Sequence, residues 1–162
     1  MESSCIDTVE RIHKRFKASW IRLCVAESCT GGLISHLITN LPGASLFFDS
    51  SVVSYSNESK IKFLGVKRSL IRKHGAVSEE VARAMAVAMR EKRGTDFSLA
   101  ITGNLGPDPM EDKKVGLVYM AVDFEKETVS RGMIFEGERE EIKLQAAVAS
   151  LRFLAEVVET WT

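Results

Sequence analysis

The sequence predicts an α/β fold in which a mixed β-sheet is covered by helices on both faces. Short apolar runs rich in branched residues alternate along the chain with stretches of helical periodicity, which is typical of α/β proteins. Two late apolar runs, 115–122 and 129–135, are joined by a connection too short for a parallel crossover, so this pair is expected to be antiparallel. With 162 residues and 45% hydrophobic content, the chain is expected to form one domain over 1–162.

The order of elements follows from the period of the apolar residues and from the glycines and prolines between them. Apolar residues recur every three to four positions in the predicted helices, whereas the predicted strands are short continuous apolar runs. Pro42 and Gly65 are expected to end two helices, and Ser78 is expected to cap another. In order, the predicted elements are a helix up to about Phe16, a strand at 21–26, a helix from 33, one or two strands at 46–55, short helices at 57–64 and 67–74, a long helix from 79, a strand at 97–102, the strand pair and a helix at about 139–158.

The charge balance and the cysteine count exclude several functional classes. Lys plus Arg and Asp plus Glu each total 22, so no basic excess indicates nucleic-acid binding, although a local cluster for one phosphate is compatible with this balance. No apolar run approaches the roughly 20 residues of a membrane span, and the polar start 1–7 is unlike a signal peptide. We therefore expect a cytoplasmic protein without membrane contact. Cys5, Cys24 and Cys29 match no zinc spacing with the histidines, so no metal is expected, and only Cys29 adjoins a candidate motif.

The segment 27–32 (ESCTGG) joins a predicted strand to a predicted helix. A sharp strand-to-helix turn exposes its turn residue and directs unpaired main-chain N–H groups at the same point, so it can bind a phosphate or an oxyanion. Ser28 is then a candidate nucleophile. The other candidate ligand-binding residues of this turn are Cys29, Thr30, Gly31 and Gly32. The alternative interpretation is that Ser28 and Thr30 cap the following helix.

A nucleophilic serine needs a base, and the sequence offers two kinds of candidate. His36 lies about two turns inside the helix that follows Ser28, and the other histidines lie in polar helical contexts. A lysine whose pKa is lowered by burial or by a nearby positive charge is the second kind. Lys60 lies in the first turn of a predicted short helix, whose positive end disfavours an added proton. The alternative for Lys60 is an ordinary solvated lysine.

Two further segments are candidates for ligand contact. The loop 102–116 contains small residues and lysines that suit a phosphate, but also acids that oppose one, so a plain surface loop is an equal alternative. Arg139 opens the last predicted helix and can bind a carboxylate or phosphate through two parallel N–H groups. The alternative is that Arg139 pairs with Glu136, Glu140 or Glu141.

Five blocks of sequence occur in a recognisable order. They are 26–32 (AESCTGG), 42–45 (PGAS), 53–60 (VSYSNESK), 74–82 (HGAVSEEVA) and 100–103 (AITG). Together they resemble the C-terminal domain family of the competence-damage-inducible protein CinA, the nicotinamide-nucleotide amidases. The resemblance extends from about the first helix to Trp161.

The resemblance implies a three-layer α/β/α sandwich with a mixed, mostly parallel sheet. It also implies conversion of nicotinamide mononucleotide to nicotinate mononucleotide and ammonia, with Ser28 as nucleophile and Lys60 as general base. Tyr55 is implied as a third catalytic residue, and either Lys60 or Tyr55 then protonates the departing ammonia. Thr102 and Gly103 are implied in substrate binding, and Arg139 matches an arginine before the last helix. No metal or organic cofactor is implied, and the expected partner is a small-molecule pyridine nucleotide. Assembly into a homo-oligomer stays open.

The sequence departs from the family pattern in two ways. Many relatives carry an additional N-terminal domain, so this chain is expected to be the stand-alone form. The segment after Gly103 contains Asp108, Pro109 and Met110 where the family is usually richer in glycine. Two alternatives to the amidase therefore stay open: a nucleotide-binding member without catalysis, and the same chemistry on a different amide.

Overall fold

The elements follow one another in the order that the sequence predicts. The structure is a computed structural model that describes the backbone of residues 3–161 and the side chains of residues 5–161. The strands are β1 (Leu23–Glu27), β2 (Phe48–Val53), β3 (Phe97–Gly103), β4 (Leu117–Phe124) and β5 (Glu127–Ile134). The helices are α1 (Ser3–Ser19), α2 (Leu33–Thr39), α3 (Asn57–Ser59), α4 (Arg68–His74), α5 (Glu79–Arg93) and α6 (Arg139–Thr160).

The strands form one mixed sheet in the order β2-β1-β3-β4-β5. β1 pairs in parallel with both β2 and β3, whereas β4 is antiparallel to β3 and to β5. The late strand pair is therefore antiparallel, as predicted, and every strand except β4 runs in the same direction. Because the chain leaves β1 for β2 on one side and later returns to β3 on the other, the carboxyl end of β1 is a topological switch point, where α/β sheets bind ligands.

Helices cover both faces of the sheet, which confirms the three-layer α/β/α arrangement. Alternate residues of β1 separate the two cores: Leu23 and Val25 pack with α1, α2 and α6, whereas Cys24 and Ala26 pack with α5. On the α5 side, Ala26, Ala100 and Ala121 are register neighbours across three strands. Their small side chains let α5 lie close to the sheet. Within residues 3–161, no helix has both the length and the apolar character that crossing a bilayer requires.

The segment after β2 departs from a simple helix. α3 is a single turn that begins at the N-cap Ser56, and the chain continues as a π-helical turn over Lys60–Leu64. Gly65 ends this turn in the left-handed conformation, with φ of 77°, as its position predicts. Ser78 caps α5 by accepting a hydrogen bond from the Val81 N–H, which also agrees with the prediction. Wide π-helical turns occur frequently at functional sites.

Candidate active site

The carboxyl ends of β1, β2 and β3 surround a pocket of about 80 Å³. Ser28 and Cys29 follow β1, and Tyr55 follows β2. The predicted site residues that line the pocket are Ser28, Cys29, Tyr55, Lys60, Thr102, Gly103 and Arg139. The two predicted loops therefore contribute to one pocket. Thr30, Gly31 and Gly32 do not line it, because the chain turns away into α2 after Cys29.

Lys60 and Ser28 form the closest polar contact in this pocket. The Nζ atom of Lys60 lies 2.7 Å from the Oγ atom of Ser28. The main-chain carbonyl oxygens of Ser54 and Tyr55 lie 2.8 and 3.2 Å from the same nitrogen. Lys60 is 1% exposed, so the alternative of a solvated lysine is wrong. The π-helical turn brings this amine back against the end of β1.

Burial lowers the pKa of Lys60 from 10.5 to about 8. Two negative groups raise the pKa of Lys60 instead: Cys29, when it is ionised, and Glu111. A neutral amine has two N–H groups and one lone pair. Because the two carbonyls can accept both N–H groups, the lone pair of neutral Lys60 points at the Ser28 hydroxyl. This is the geometry that a general base requires.

Glu27 organises the turn that carries Ser28. Its buried carboxylate accepts five hydrogen bonds, which come from Thr30 Oγ1, Gly32 N, Ile34 N, Ser35 N and Ser35 Oγ. These donors include main-chain N–H groups at the start of α2, which a side-chain acceptor must satisfy. The prediction that Ser28 and Thr30 cap α2 is therefore wrong. Ser28 contacts Lys60 instead, and the Thr30 hydroxyl donates to Glu27.

The main-chain donors of this turn are partly occupied. Gly31 N–H donates to the Ser28 carbonyl, at 3.0 Å, and Gly32 N–H donates to Glu27. The N–H groups of Gly31 and Gly32 are therefore not available to an oxyanion, because internal acceptors take them. The N–H groups of Cys29 and Thr30 make no main-chain hydrogen bond within residues 3–161. Both groups face the Cys29 sulfur, and they are candidate donors for an oxyanion beside Ser28.

Cys29 is a buried thiol at the end of β1. Burial raises the pKa of Cys29 to about 12, so the thiol stays protonated at neutral pH. Its Sγ atom lies against Gly103, where an added Cβ atom would be 3.2 Å from the sulfur and 2.7 Å from Val118 Cγ2. Gly103 therefore lets β3 and the Ser28 turn come together, and the role of Cys29 in this structure is packing.

The loop between β3 and β4 is tied to the segment before α5. Thr102 Oγ1 donates to the Ala76 carbonyl at 2.8 Å. The Glu111 carboxylate accepts from the N–H groups of Ala76 and Val77, at 2.7 and 3.1 Å, and Lys113 Nζ donates to the His74 carbonyl at 2.6 Å. Residues 107–112 are exposed, as in a surface loop, whereas the start of the loop and Met110 line the pocket. Glu111 holds the loop in place, a role that the composition of the loop did not indicate.

Arg139 and Tyr55 meet at the mouth of the pocket. Arg139 donates to the Tyr55 hydroxyl at 2.8 Å and to the carbonyl of Gly106. Pairing of Arg139 with Glu136, Glu140 or Glu141 is not found, because its guanidinium turns towards the pocket instead of along α6. The Tyr55 side chain is 58% exposed, and its main-chain carbonyl, not its hydroxyl, contacts Lys60.

The histidines lie away from Ser28. His36 is exposed on α2 and contacts Asn40, while His13 is buried against the Ile38 carbonyl at 2.9 Å. His74 lies 3.2 Å from a carboxylate oxygen of Glu80. The candidate base that the structure brings to Ser28 is therefore Lys60. The sequence motifs did not single out Ser54, whose main-chain carbonyl accepts from Lys60. Every residue has such a carbonyl, so residue type does not indicate which one is used.

Fold and site together define an α/β domain with a buried serine–lysine pair at the carboxyl edge of its parallel strands. The chain belongs to the CinA C-terminal domain family, whose sequence model matches residues 6–158. A CinA-like protein of Syntrophomonas wolfei is 48% identical over 134 residues, which cover 82% of this chain and 32% of that protein. The chain spans about a third of the length of the curated relatives that it matches.

Solved structures of the family share the whole fold. The competence damage-inducible protein A from Klebsiella pneumoniae superposes with a TM-score of 0.95 at 30% identity, covering 98% of this chain and 99% of that chain. The competence/damage inducible protein CihA from Agrobacterium tumefaciens gives a TM-score of 0.93 at 30% identity, covering 99% and 98%. These likenesses confirm the predicted family and fold class.

Proposed function

We propose that this domain is an amidohydrolase that converts nicotinamide mononucleotide to nicotinate mononucleotide and ammonia. The observation that carries the proposal is the 2.7 Å contact between Lys60 Nζ and Ser28 Oγ inside a pocket. A hydroxyl beside an amine of lowered pKa is the arrangement of a serine nucleophile with a lysine base. Membership in the CinA C-terminal domain family supports the same chemistry.

Lys60 acts as the general base for attack on the amide. At pH 7 a pKa of about 8 leaves roughly one Lys60 in ten neutral. The neutral amine takes the Ser28 proton while Oγ forms a bond to the carboxamide carbon, and the carbonyl electron pair moves onto oxygen. The N–H groups of Cys29 and Thr30 stabilise this oxyanion, since internal acceptors take the N–H groups of Gly31 and Gly32.

The protonated Lys60 then completes the first half of the reaction. It returns its proton to the amide nitrogen as the C–N bond breaks, so ammonia leaves and an acyl ester on Ser28 remains. A water molecule attacks this ester with Lys60 again taking a proton. The C–Oγ bond breaks, Ser28 recovers its proton, and the carboxylic acid product departs. Ser54 and Tyr55 carbonyls keep the amine aimed at Oγ through both steps.

Ammonia release from nicotinamide mononucleotide tests the proposal. The wild-type protein should release ammonia, and Ser28→Ala and Lys60→Met should each reduce kcat by about 10³-fold or more. Lys62→Met is the matched control, because Lys62 is an exposed lysine of the same turn and should keep full activity. Circular dichroism must show that each variant is folded.

The outcomes separate the proposal from its alternatives. Equal ammonia release by the wild type and Ser28→Ala would refute the serine mechanism. Ser28-dependent release from other carboxamides, but not from nicotinamide mononucleotide, would keep the chemistry and replace the substrate. Binding of the nucleotide without any turnover would identify a non-catalytic family member.

A further inference from the structure

We propose that Lys143 and Arg139 form an anion subsite at the mouth of the pocket, which binds a phosphate monoester on the substrate. The inference rests on the proposed amidase function and deepens it, because it adds Lys143 to the site and names the group that this residue recognises. Neither the sequence motifs nor the pocket lining single out Lys143.

The two cations lie one helical turn apart on α6, so they share one face of this helix. Arg139 lines the pocket directly. The amine of Lys143 lies over the Ser28 turn, where a Cβ atom built on Gly31 would be 3.6 Å from Nζ. A separation of 3.6 Å is an ordinary van der Waals contact, so the amine lies against the surface of the turn at Gly31. Lys143 therefore lies beside the turn that holds the nucleophile.

No acid neutralises this pair. Within residues 5–161, neither Arg139 nor Lys143 takes part in an ion pair. Two of the nearby acids have other partners: Glu27 is buried and accepts five internal hydrogen bonds, and Glu141 caps α6 by accepting the Glu138 N–H. Glu140, between the two cations in the sequence of α6, is exposed and forms no ion pair with either of them. Two like charges one turn apart destabilise a helix slightly. A bound dianion attracts both cations, and this attraction outweighs the repulsion between them.

The size of the pocket explains why recognition extends to its mouth. Small-molecule sites typically enclose about 300–1,000 Å³, whereas this pocket has about 80 Å³. It therefore holds the reacting amide end of a substrate and leaves the rest outside. Gly31 is exposed and carries no side chain, so the surface of the turn beside the Lys143 amine is open. A phosphate there meets a guanidinium with free N–H groups and an ammonium.

Comparison of two amides that differ only in the phosphate tests this subsite. Nicotinamide mononucleotide carries the phosphate, and nicotinamide riboside lacks it. Lys143→Met should lower kcat/KM for the mononucleotide roughly ten-fold, through KM, and change the value for the riboside less than about two-fold. Lys143→Arg should restore most of the loss. Lys126→Met, an exposed lysine of the β4–β5 turn, is the control for loss of one charge and should have no effect.

Binding to Ser28→Ala proteins separates this inference from the amidase proposal. Calorimetry should show tighter binding of the mononucleotide than of the riboside, and Lys143→Met should remove most of the difference. If no protein releases ammonia but this binding pattern holds, the amidase proposal fails and the subsite stands. If the two compounds bind equally, or the mononucleotide binds equally with and without Lys143, the subsite is refuted even when amide hydrolysis is observed.

Discussion

The amine of Lys60 lies 2.7 Å from the hydroxyl of Ser28, and two main-chain carbonyls hold it in place. The serine comes from the end of β1, while the lysine and both carbonyls come from the segment after β2. Since β1 and β2 pair in parallel with Glu27 opposite Val53, the residues that follow each strand emerge side by side. Parallel pairing of these two strands is thus what creates the site.

The first prediction concerns the pH dependence of the reaction. Only neutral Lys60 can accept the Ser28 proton, and its pKa is lowered to about 8 by burial. We therefore expect kcat/KM to rise with pH through an apparent pKa near 8 and then to level off. Initial rates of ammonia release between pH 6 and 10 measure this profile. Lys60→Arg should be inactive at every pH in that range, because a guanidinium stays protonated. A flat wild-type profile would contradict the proposal.

The same burial predicts a pH-dependent stability. Between pH 8 and 10.5, Lys60 binds fewer protons in the folded than in the unfolded protein, so its contribution to stability rises with pH by about 1.4 kcal/mol per unit. Below pH 8 the buried charge lowers the stability of the folded state. The free energy of unfolding of the wild type, relative to Lys60→Met, should therefore increase by about 2.5 kcal/mol from pH 7 to pH 10. Urea titrations at both pH values measure it.

Lys62→Met provides the comparison for this experiment, because the Lys62 side chain is exposed. Its stability difference from the wild type should be the same at both pH values. A constant difference for Lys60→Met as well would show that the amine is not desolvated in the folded protein.

Glu27 is expected to be essential for the folded turn. In Glu27→Gln, one carboxylate oxygen becomes an NH₂ group, which cannot accept hydrogen bonds and which faces the existing donors of the turn. We expect the free energy of unfolding to fall by about 3 kcal/mol, because buried donors lose a charged acceptor. Denaturant unfolding measures this loss. Glu10→Gln, at an exposed position of α1, should change stability by less than about 0.5 kcal/mol. Equal effects of both substitutions would contradict the organising role of Glu27.

Patterns that depend on local sequence predicted the fold well. The apolar runs of β1 and β3 are buried on both faces, and Gly65 and Ser78 mark helix ends through conformational and capping preferences that act over a few residues. The contact between Ser28 and Lys60 depends on strand register and on a π-helical turn. Neither of these leaves a period in the sequence, so the residues alone left a solvated lysine as an alternative.

The role of Glu27 shows a different limit. An acid directly before a strand-to-helix turn suits the positive end of a helix, and this signal was available in the sequence. By residue type, Ser28 and Thr30 are equally possible caps for this helix. Only the three-dimensional path of the turn shows that the Glu27 side chain is the one that accepts from the N–H groups of the helix start. Likewise, the acids of the loop after Gly103 disfavour a phosphate when only the composition is considered. In the structure, the Glu111 carboxylate accepts hydrogen bonds from the N–H groups of Ala76 and Val77.

Tyr55→Phe distinguishes two roles for this residue. Because the hydroxyl accepts a hydrogen bond from Arg139 at the pocket mouth, its removal should raise KM several-fold and leave kcat within about two-fold. Steady-state kinetics with nicotinamide mononucleotide measure both constants. Tyr119→Phe, at the other tyrosine of the chain, is the control. A fall in kcat of about 10²-fold or more would instead assign the Tyr55 hydroxyl to proton transfer, as the family resemblance implies.

A side chain at position 103 is expected to destabilise the protein, because the neighbouring strand β4 leaves no space for it. An added Cβ atom would lie 2.7 Å from Val118 Cγ2 and 3.0 Å from the Leu117 carbonyl oxygen, and the latter belongs to the sheet and cannot rotate away. Gly103→Ala should therefore force β3 and β4 apart and displace Cys29, whose N–H group is a proposed oxyanion donor. We expect the free energy of unfolding to fall by about 1–3 kcal/mol. We also expect kcat to fall by a larger factor than KM rises.

Gly132→Ala is the matched control for Gly103→Ala. Its added Cβ atom would lie 2.8 Å from Cε1 of the Tyr119 ring, a side-chain contact that can relax, and Gly132 lies on the edge strand β5. This variant should therefore lose less stability and keep its kcat. If Gly103→Ala keeps full kcat while losing stability to the same extent as Gly132→Ala, then the packing of Cys29 against Gly103 does not position the Ser28 turn for catalysis.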